Sequence, residues 1–470
     1  MDSNIVVVAL AVLGFGLVAG RLSRAPLTMP MLFTAGGVVL GPVLGVLDFG
    51  VDSSAVSGLA EATLVVVLFS DASRMDLRTV LREHSLALRL LGIGLPLALL
   101  IGTGAGLLLL PALPVAACAL LATALAPTDA ALGQAFVEDE TVPARIRQTL
   151  NVESGLNDGL AVPFLTVLLD VALRQTGSAA GYALLLGRLV GVGVLVGVLV
   201  GGLGGAALQR FAGRYGMVDA AQRLATVALA ALAYGGSELL GGNGFVAAFT
   251  AGLVVGTTAR ELLPRTQEFA ETEGQLLTLL TFLLFGSVIT ADLVSGLDLR
   301  VVLYALASLL LVRPLAVLVS LRGSGAPPAT VAYVAWAGPR GLASIVYAVV
   351  IAEATGVPGA DEIFLVAGFT ILVSIYLHGT SASAASARYG AYMSGVAAAA
   401  AAGGADAGSP APGSGDSDVG AAGHPAGHSA ARMEHRRVPH LPTRLSGRLP
   451  DSRAALARLR EASDDPDPTR

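Results

Sequence analysis

Two carboxylates, Glu153 and Asp158, lie within the stretch Asn151-Val152-Glu153-Ser154-Gly155-Leu156-Asn157-Asp158, which otherwise reads as the first two turns of a membrane-spanning helix. An ionisable group at membrane depth is unfavourable by about 2.5 to 3.5 kcal/mol on insertion scales, so a cluster of them marks a functional site. Residues four apart share a helix face. Ser154 and Asp158 therefore share one face, and Glu153 and Asn157 share its neighbour. One face can line a cavity while the other ties the helix down, which gives Asp158 to an ion and Glu153 to a structural ion pair. Burial disfavours the charged form of a carboxylate, so such an acid can hold a proton and surrender it when a cation arrives. Hard alkali cations take oxygen ligands, and the Asp158 carboxylate, the Thr128 hydroxyl and Ser154 provide them. One site that holds either a proton or a cation, but not both, needs no further machinery to exchange them.

The oxygens have a second source. Ala126-Pro127-Thr128-Asp129-Ala130 interrupts one apolar segment, and Gly338-Pro339-Arg340-Gly341-Leu342 interrupts another about 212 residues later. Proline removes a backbone donor and clashes with the preceding turn, which frees carbonyls at membrane depth. Such breaks are tolerated where they are buried or line a cavity. Interrupted segments at matching positions in two halves are the sequence pointer to inverted repeats with a binding site at the midplane.

The elements that must position these residues follow from composition. With 54% hydrophobic and 13% charged residues among 470, and a mean hydropathy of +0.73, the chain reads as an integral membrane protein. Apolar runs of about 17 to 25 residues suit α-helices crossing about 30 Å of hydrocarbon. Thirteen lie near 4–20, 28–47, 58–72, 86–110, 114–137, 148–170, 181–208, 220–240, 243–258, 272–290, 300–321, 328–352 and 362–385. The first lacks a small-residue cleavage site and reads as a retained helix. Runs one to six and eight to thirteen would form the two repeats, and continuous apolarity excludes a β-barrel.

Arginines set the orientation, since the chain has no lysine. Connections after odd-numbered runs carry Arg21, Arg24, Arg74, Arg78, Arg82, Arg145, Arg147, Arg210, Arg214, Arg223, Arg260, Arg265, Arg322 and Arg388, whereas the opposite ones carry Arg174 and Arg300. That bias predicts the N-terminus outside and the C-terminus in the cytoplasm. A transmembrane domain over 1–390 is expected, followed over 391–470 by a low-complexity, disordered cytoplasmic tail. Within it, Arg453 to Ser463 could form an amphipathic helix, and His424, His428, His435 and His440 match no closed zinc site. Cys118 is the single cysteine and reads as packing. The Gly191-to-Gly205 stretch reads as close helix packing.

The residues also resemble a family. Pro127-Thr128-Asp129, the segment from Val142-Pro143-Ala144-Arg145-Ile146-Arg147 through Asn151 to Gly159, and Gly338-Pro339-Arg340-Gly341 are similar to the monovalent cation:proton antiporters of family one, which include bacterial NhaP-type antiporters and animal sodium/proton exchangers. Coverage is roughly residues 1 to 385. The resemblance implies an all-α polytopic fold of thirteen transmembrane helices, two inverted-topology repeats with crossed discontinuous helices (an NhaA-like antiporter fold), a dimerisation domain and a six-helix core domain, a homodimer, and elevator-like alternating access. It places Asp158 as the cation and proton carrier and Thr128 as an ion ligand, making Asp158 and Thr128 the expected Na+ ligands. Asp129 falls beside the helix crossing and Arg340 at the second break. Glu153 falls where an acid pairs with an arginine of the eleventh helix, here Arg313 in Val312-Arg313-Pro314. Asn157 stands where electrogenic relatives have a second aspartate, which implies electroneutral exchange. Leu68-Phe69-Ser70-Asp71-Ala72-Ser73 departs from the Phe-Glu-Gly-Gly of many bacterial relatives and leaves the role of Asp71 open.

The expected transported ions are Na+, or Li+ or K+, and H+, with no other cofactor and no nucleic-acid partner. Glu153 with Arg313, Asp129 and Arg340 also admit purely structural readings. Asp158 admits none that is comfortable. An intramembrane hydrolase needs a nucleophile beside a base, yet the in-span histidine is His378 and no Gly-x-Ser-x-Gly occurs. A cation channel or a non-transporting sensor needs a selectivity loop or a folded cytoplasmic module, and neither is evident in the sequence.

Overall fold

The computed structural model describes residues 2–22, 27–47, 54–75, 85–129, 132–174, 178–215, 219–259 and 263–405. Residues 391–405, expected to open the disordered tail, instead continue the last helix, whereas the rest of the tail, including its four histidines and the Arg453 to Ser463 stretch, lies outside the described residues, as do Arg24, Arg78, Arg82 and Arg260.

Continuous apolarity leaves the backbone to satisfy its own hydrogen bonds, and helices do so within one segment. The described residues are mostly helical, with no strand among them. The first four helices are α1 (Asp2–Leu22), α2 (Met29–Val43), α3 (Ser54–Arg74) and α4 (Ser85–Leu109). The fifth run divides into α5 (Val115–Ala124) and α6 (Gln134–Glu138), as Pro127 requires. There follow α7 (Ala144–Arg174), α8 (Ala179–Tyr215), α9 (Asp219–Leu239), α10 (Gly244–Thr258), α11 (Leu263–Gly296) and α12 (Leu299–Ser320). The twelfth run divides into α13 (Pro328–Trp336) and α14 (Leu342–Glu353), and α15 (Ala360–Ala405) closes the series. Among the described residues these fifteen helices fall on the thirteen apolar runs, the two split runs being those with the predicted breaks. Among the described residues, five helical stretches are long and apolar enough to cross a membrane by length and composition: Ser85–Leu109, Ala144–Leu173, Ala180–Ala212, Leu299–Ser320 and Ala360–Ala399.

Side-chain caps set several of the starts. Asn243 accepts the Val246 N–H at 3.0 Å to open α10, and Asp298 accepts those of Arg300 and Val301, each at 2.9 Å, to open α12. Pro328 occupies the first turn of α13, where its missing donor costs nothing. Beside a further π-helical turn at Val39–Val43 in α2, a matched pair of features appears in α4 and α12. Each contains a π-helical turn, Leu90–Gly94 and Ser308–Val312, followed by a proline in the next turn, Pro96 and Pro314.

The core gathers Phe69 of α3, Leu120 of α5, Phe282 of α11, Tyr347 of α14 and Ile371 of α15 in one apolar cluster. Helix α8 packs along α10, and its glycines make the close approach possible. A Cβ on Gly197 would stand 2.6 Å from the Ala247 carbonyl oxygen, and one on Gly201 2.7 Å from that of Ala251. Arg89, at the start of α4, donates to the Ser320 and Arg322 carbonyls at 3.4 and 3.0 Å. Ser386 of α15 donates to the Ala135 carbonyl at 3.0 Å, and Tyr333 of α13 to that of Phe136 at 3.1 Å. These bonds draw the start of α4 to the chain after α12, and α6 to α13 and the distal part of α15.

Candidate functional site

The two breaks meet. Helix α5 ends at Ala124 ahead of Pro127, and α13 ends at Trp336 ahead of Pro339. The Asp129 N–H donates to the Pro339 carbonyl at 2.9 Å. In return, the Asp129 carboxylate accepts the Leu342 N–H, the first donor of α14, at 2.8 Å through Oδ2 and the Leu132 N–H at 3.2 Å through Oδ1. A carboxylate at a helix N-terminus meets orphan N–H groups and the positive end of the helix dipole. Asp129 thereby braces the crossing. Gly341 makes room for it, because a Cβ there would collide with Asp129 Oδ2 and Cγ.

Arg340 serves the freed carbonyls. Its side chain is 1% exposed, and Nη1 donates to Ala126 O and Pro127 O at 3.3 Å each. Its backbone N–H donates to Ser374 Oγ of α15 at 2.8 Å. A guanidinium carries five donors in a fixed fork, which suits it to two carbonyls left without helical partners.

Glu153 and Arg313 form the expected pair. Arg313 Nη1 and Nη2 donate to Glu153 Oε1 and Oε2 at 2.6 and 3.1 Å, with the residues 4% and 8% exposed. Arg313 Nη2 also reaches the Val334 and Ala337 carbonyls at 3.5 and 3.4 Å, so the pair ties α7 to α12 and to the end of α13. A cavity of about 20 Å³ adjoins the pair, lined among others by Glu153, Asn157, Arg313 and Arg340. That volume admits roughly one water-sized species.

Thr128 stands between the two faces of α7. Its hydroxyl lies 3.2 Å from Ser154 Oγ and accepts a hydrogen bond from Asn157 Nδ2 at 2.7 Å. Thr128 and Asn157 are both 2% exposed. Asn157 therefore orients the hydroxyl that the sequence assigned to the ion.

Asp158 differs from the other acids of the site. Its Oδ1 is buried and makes no hydrogen bond, whereas Glu153 and Asp129 have both oxygens engaged. The residue as a whole keeps partial access. Asp129 and Asp71 are the neighbouring carboxylates that interact with it electrostatically. Asp71 approaches α7 at Gly155, where an added Cβ would lie 3.8 Å from Asp71 Cβ. The structure thus brings Thr128, Ser154, Asn157, Asp129 and Asp158 to one place, with Glu153, Arg313 and Arg340 packed behind them.

One member escaped sequence reasoning entirely. Tyr347 of α14 is fully buried and donates through its hydroxyl to the Asp158 backbone carbonyl at 2.5 Å. An aromatic in an apolar run looks like core, and no signal in the sequence separates it from core.

Known proteins resemble this chain in sequence and in fold. The model of a family described as sodium/hydrogen exchanger, transmembrane, matches residues 6–387. The chain is 28% identical over 274 residues to the K+/H+ antiporter NhaP2 of Shewanella oneidensis, a match covering 55% of this chain and 45% of that protein. It is 27% identical over 181 residues to a probable Na+/H+ antiporter of Schizosaccharomyces pombe, covering 34% and 24% respectively. The chain spans less than half the length of these curated relatives. Its fold is similar to that of the sodium proton antiporter MjNhaP1 from Methanocaldococcus jannaschii, with a TM-score of 0.70 and 23% identity over 80% of this chain and 98% of that one.

Proposed function

The chain belongs to the sodium/hydrogen exchanger family, and on that premise we propose that it is a secondary antiporter exchanging a monovalent cation for a proton, both competing for Asp158. The observation that carries this reading is the asymmetry among the buried acids. Glu153 has a guanidinium and Asp129 has two backbone donors, but Asp158 Oδ1 has neither. A buried charge without a partner is strongly unfavourable, and the group escapes by binding a proton or a cation. Ser154, one helical turn before it, and Thr128, 3.2 Å from Ser154, offer neutral oxygens nearby, and the residue is not fully enclosed.

The chain is a multi-pass integral membrane protein of the cation:proton antiporter group. Within that frame the proposal is finer: thirteen transmembrane helices in two inverted repeats, the cytoplasmic membrane as location, the N-terminus outside and the C-terminus in the cytoplasm, a homodimer moving by elevator-like access, and one-for-one electroneutral exchange. The paired π turns of α4 and α12 and the paired breaks support the repeats. The arginine bias supports the orientation. Na+ is the proposed cation, on the likeness to MjNhaP1. K+ is a second reading, favoured by the similarity to NhaP2.

Purified protein in proteoliposomes carrying a pH gradient tests the proposal. Added Na+, Li+ or K+ at fixed pH is expected to collapse the gradient, and their order of half-maximal concentrations gives the selectivity. No collapse with any of the three would overturn the antiporter reading.

A further inference from the structure

We infer that Tyr347 is a positioning residue for Asp158, holding the ion carrier by its main chain so that its carboxylate stays uncommitted. This rests on the exchange reading above. The first observation is the bond itself: the Tyr347 hydroxyl donates to Asp158 O at 2.5 Å across 189 residues of sequence, from a side chain with no solvent exposure. The second is its complement, the buried Asp158 Oδ1 without a hydrogen-bond partner. The third is Pro163, inside α7 and five residues beyond Asp158. Proline has no N–H, so the Gly159 carbonyl loses the donor that an uninterrupted helix would give it. The ladder of α7 is therefore weakest immediately after the residue that most needs a fixed place.

Competition explains why the grip is on the carbonyl. A fixed donor on the carboxylate would stabilise its charged form and would have to be displaced or outcompeted whenever a proton or cation bound. A carbonyl has two lone pairs, one for the helix and one for Tyr347, so the main chain can be held without touching the acid. The same helix also holds Asp129, because the Leu342 N–H that opens α14 donates to Asp129 Oδ2 at 2.8 Å. Leu342 and Tyr347 are five residues apart, about 7.5 Å along a helix. One rigid rod thus sets the spacing between the acid that braces the crossing and the acid that carries the ion. Phenylalanine at 347 would fill the same space and lose that registration.

The test is Tyr347→Phe in purified, reconstituted protein, compared with wild type for half-maximal cation concentration, maximal rate and pH profile, all per molecule. Loss of the hydroxyl is expected to raise the half-maximal cation concentration at least threefold and to move the pH profile. Protection of the detergent-solubilised protein against heat by the same cation should need a correspondingly higher concentration, which reads affinity without transport. Affinities and pH profiles are read on whatever folded protein is recovered, so reduced abundance does not obscure the result. An unchanged affinity and pH profile, with or without a loss of rate or abundance, would overturn the inference and leave Tyr347 a packing residue. Wild-type protein inactive with every cation would overturn the exchange reading, and this inference with it.

Discussion

Glu153 and Arg313 lie 160 residues apart in sequence and meet in a two-pronged ion pair, at 2.6 and 3.1 Å, that joins α7 to α12. Both ends are buried, so neither charge can fall back on bulk water. Removing one partner strands the other, which is destabilising by about 3 to 5 kcal/mol. Glu153→Gln and Arg313→Gln should each lower membrane abundance and melting temperature. The exchanged pair Glu153→Arg with Arg313→Glu should recover abundance lost in each single charge reversal, as a direct interaction requires. Failure to recover in immunoblots of membranes would separate the two residues as partners.

Asp158→Asn should fold and reach the membrane, because the amide is nearly isosteric and Tyr347 still has its carbonyl. It should show no cation-dependent collapse of a pH gradient in everted vesicles. Exchange that persists in this variant would remove Asp158 as the carrier.

Gly341→Ala tests the fit between the breaks. Its Cβ would collide with the Asp129 carboxylate, so one methyl group should lower the melting temperature clearly. In an Asp129→Gly background, which removes Oδ2, Cγ and Cβ alike, the same methyl has less to strike, and its added cost should shrink. Equal costs in both backgrounds would contradict the packing.

Exchange should be indifferent to membrane potential. Asn157 is neutral where a second carboxylate would add a charge, and it spends its amide on Thr128. Each net charge moved would couple the cycle to the potential by about 2.3 kcal/mol per 100 mV. Rates measured with the potential clamped at zero and held strongly negative inside should agree, and a steep dependence would rule out one-for-one exchange.

Much of this molecule is legible in the chain. Hydrophobic runs mark the helices because lipid admits little else, and Pro127 and Pro339 mark the breaks because proline cannot continue a helical ladder. The four-residue spacing in α7 separates Asp158 from Glu153 by face. What stays hidden is contact between distant segments. Tyr347 looks like any core aromatic, the role of the Leu342 N–H belongs to no side chain, and the π turns before Pro96 and Pro314 leave no mark in hydropathy. The role of Asp71 is hidden for the same reason, since its approach to α7 beside Gly155 is a matter of how α3 leans.

Four hydrogen bonds stitch the two breaks together, and they run in both directions: Asp129 to Pro339, Leu342 to Asp129, and Arg340 to Ala126 and Pro127. Parting the breaks would orphan each buried donor and acceptor at about 1 to 3 kcal/mol apiece, more where a charge is involved. The seam where the two breaks cross is consequently costly to open. The two proline corners are expected to behave as one body, so that any displacement of one carries the other with it.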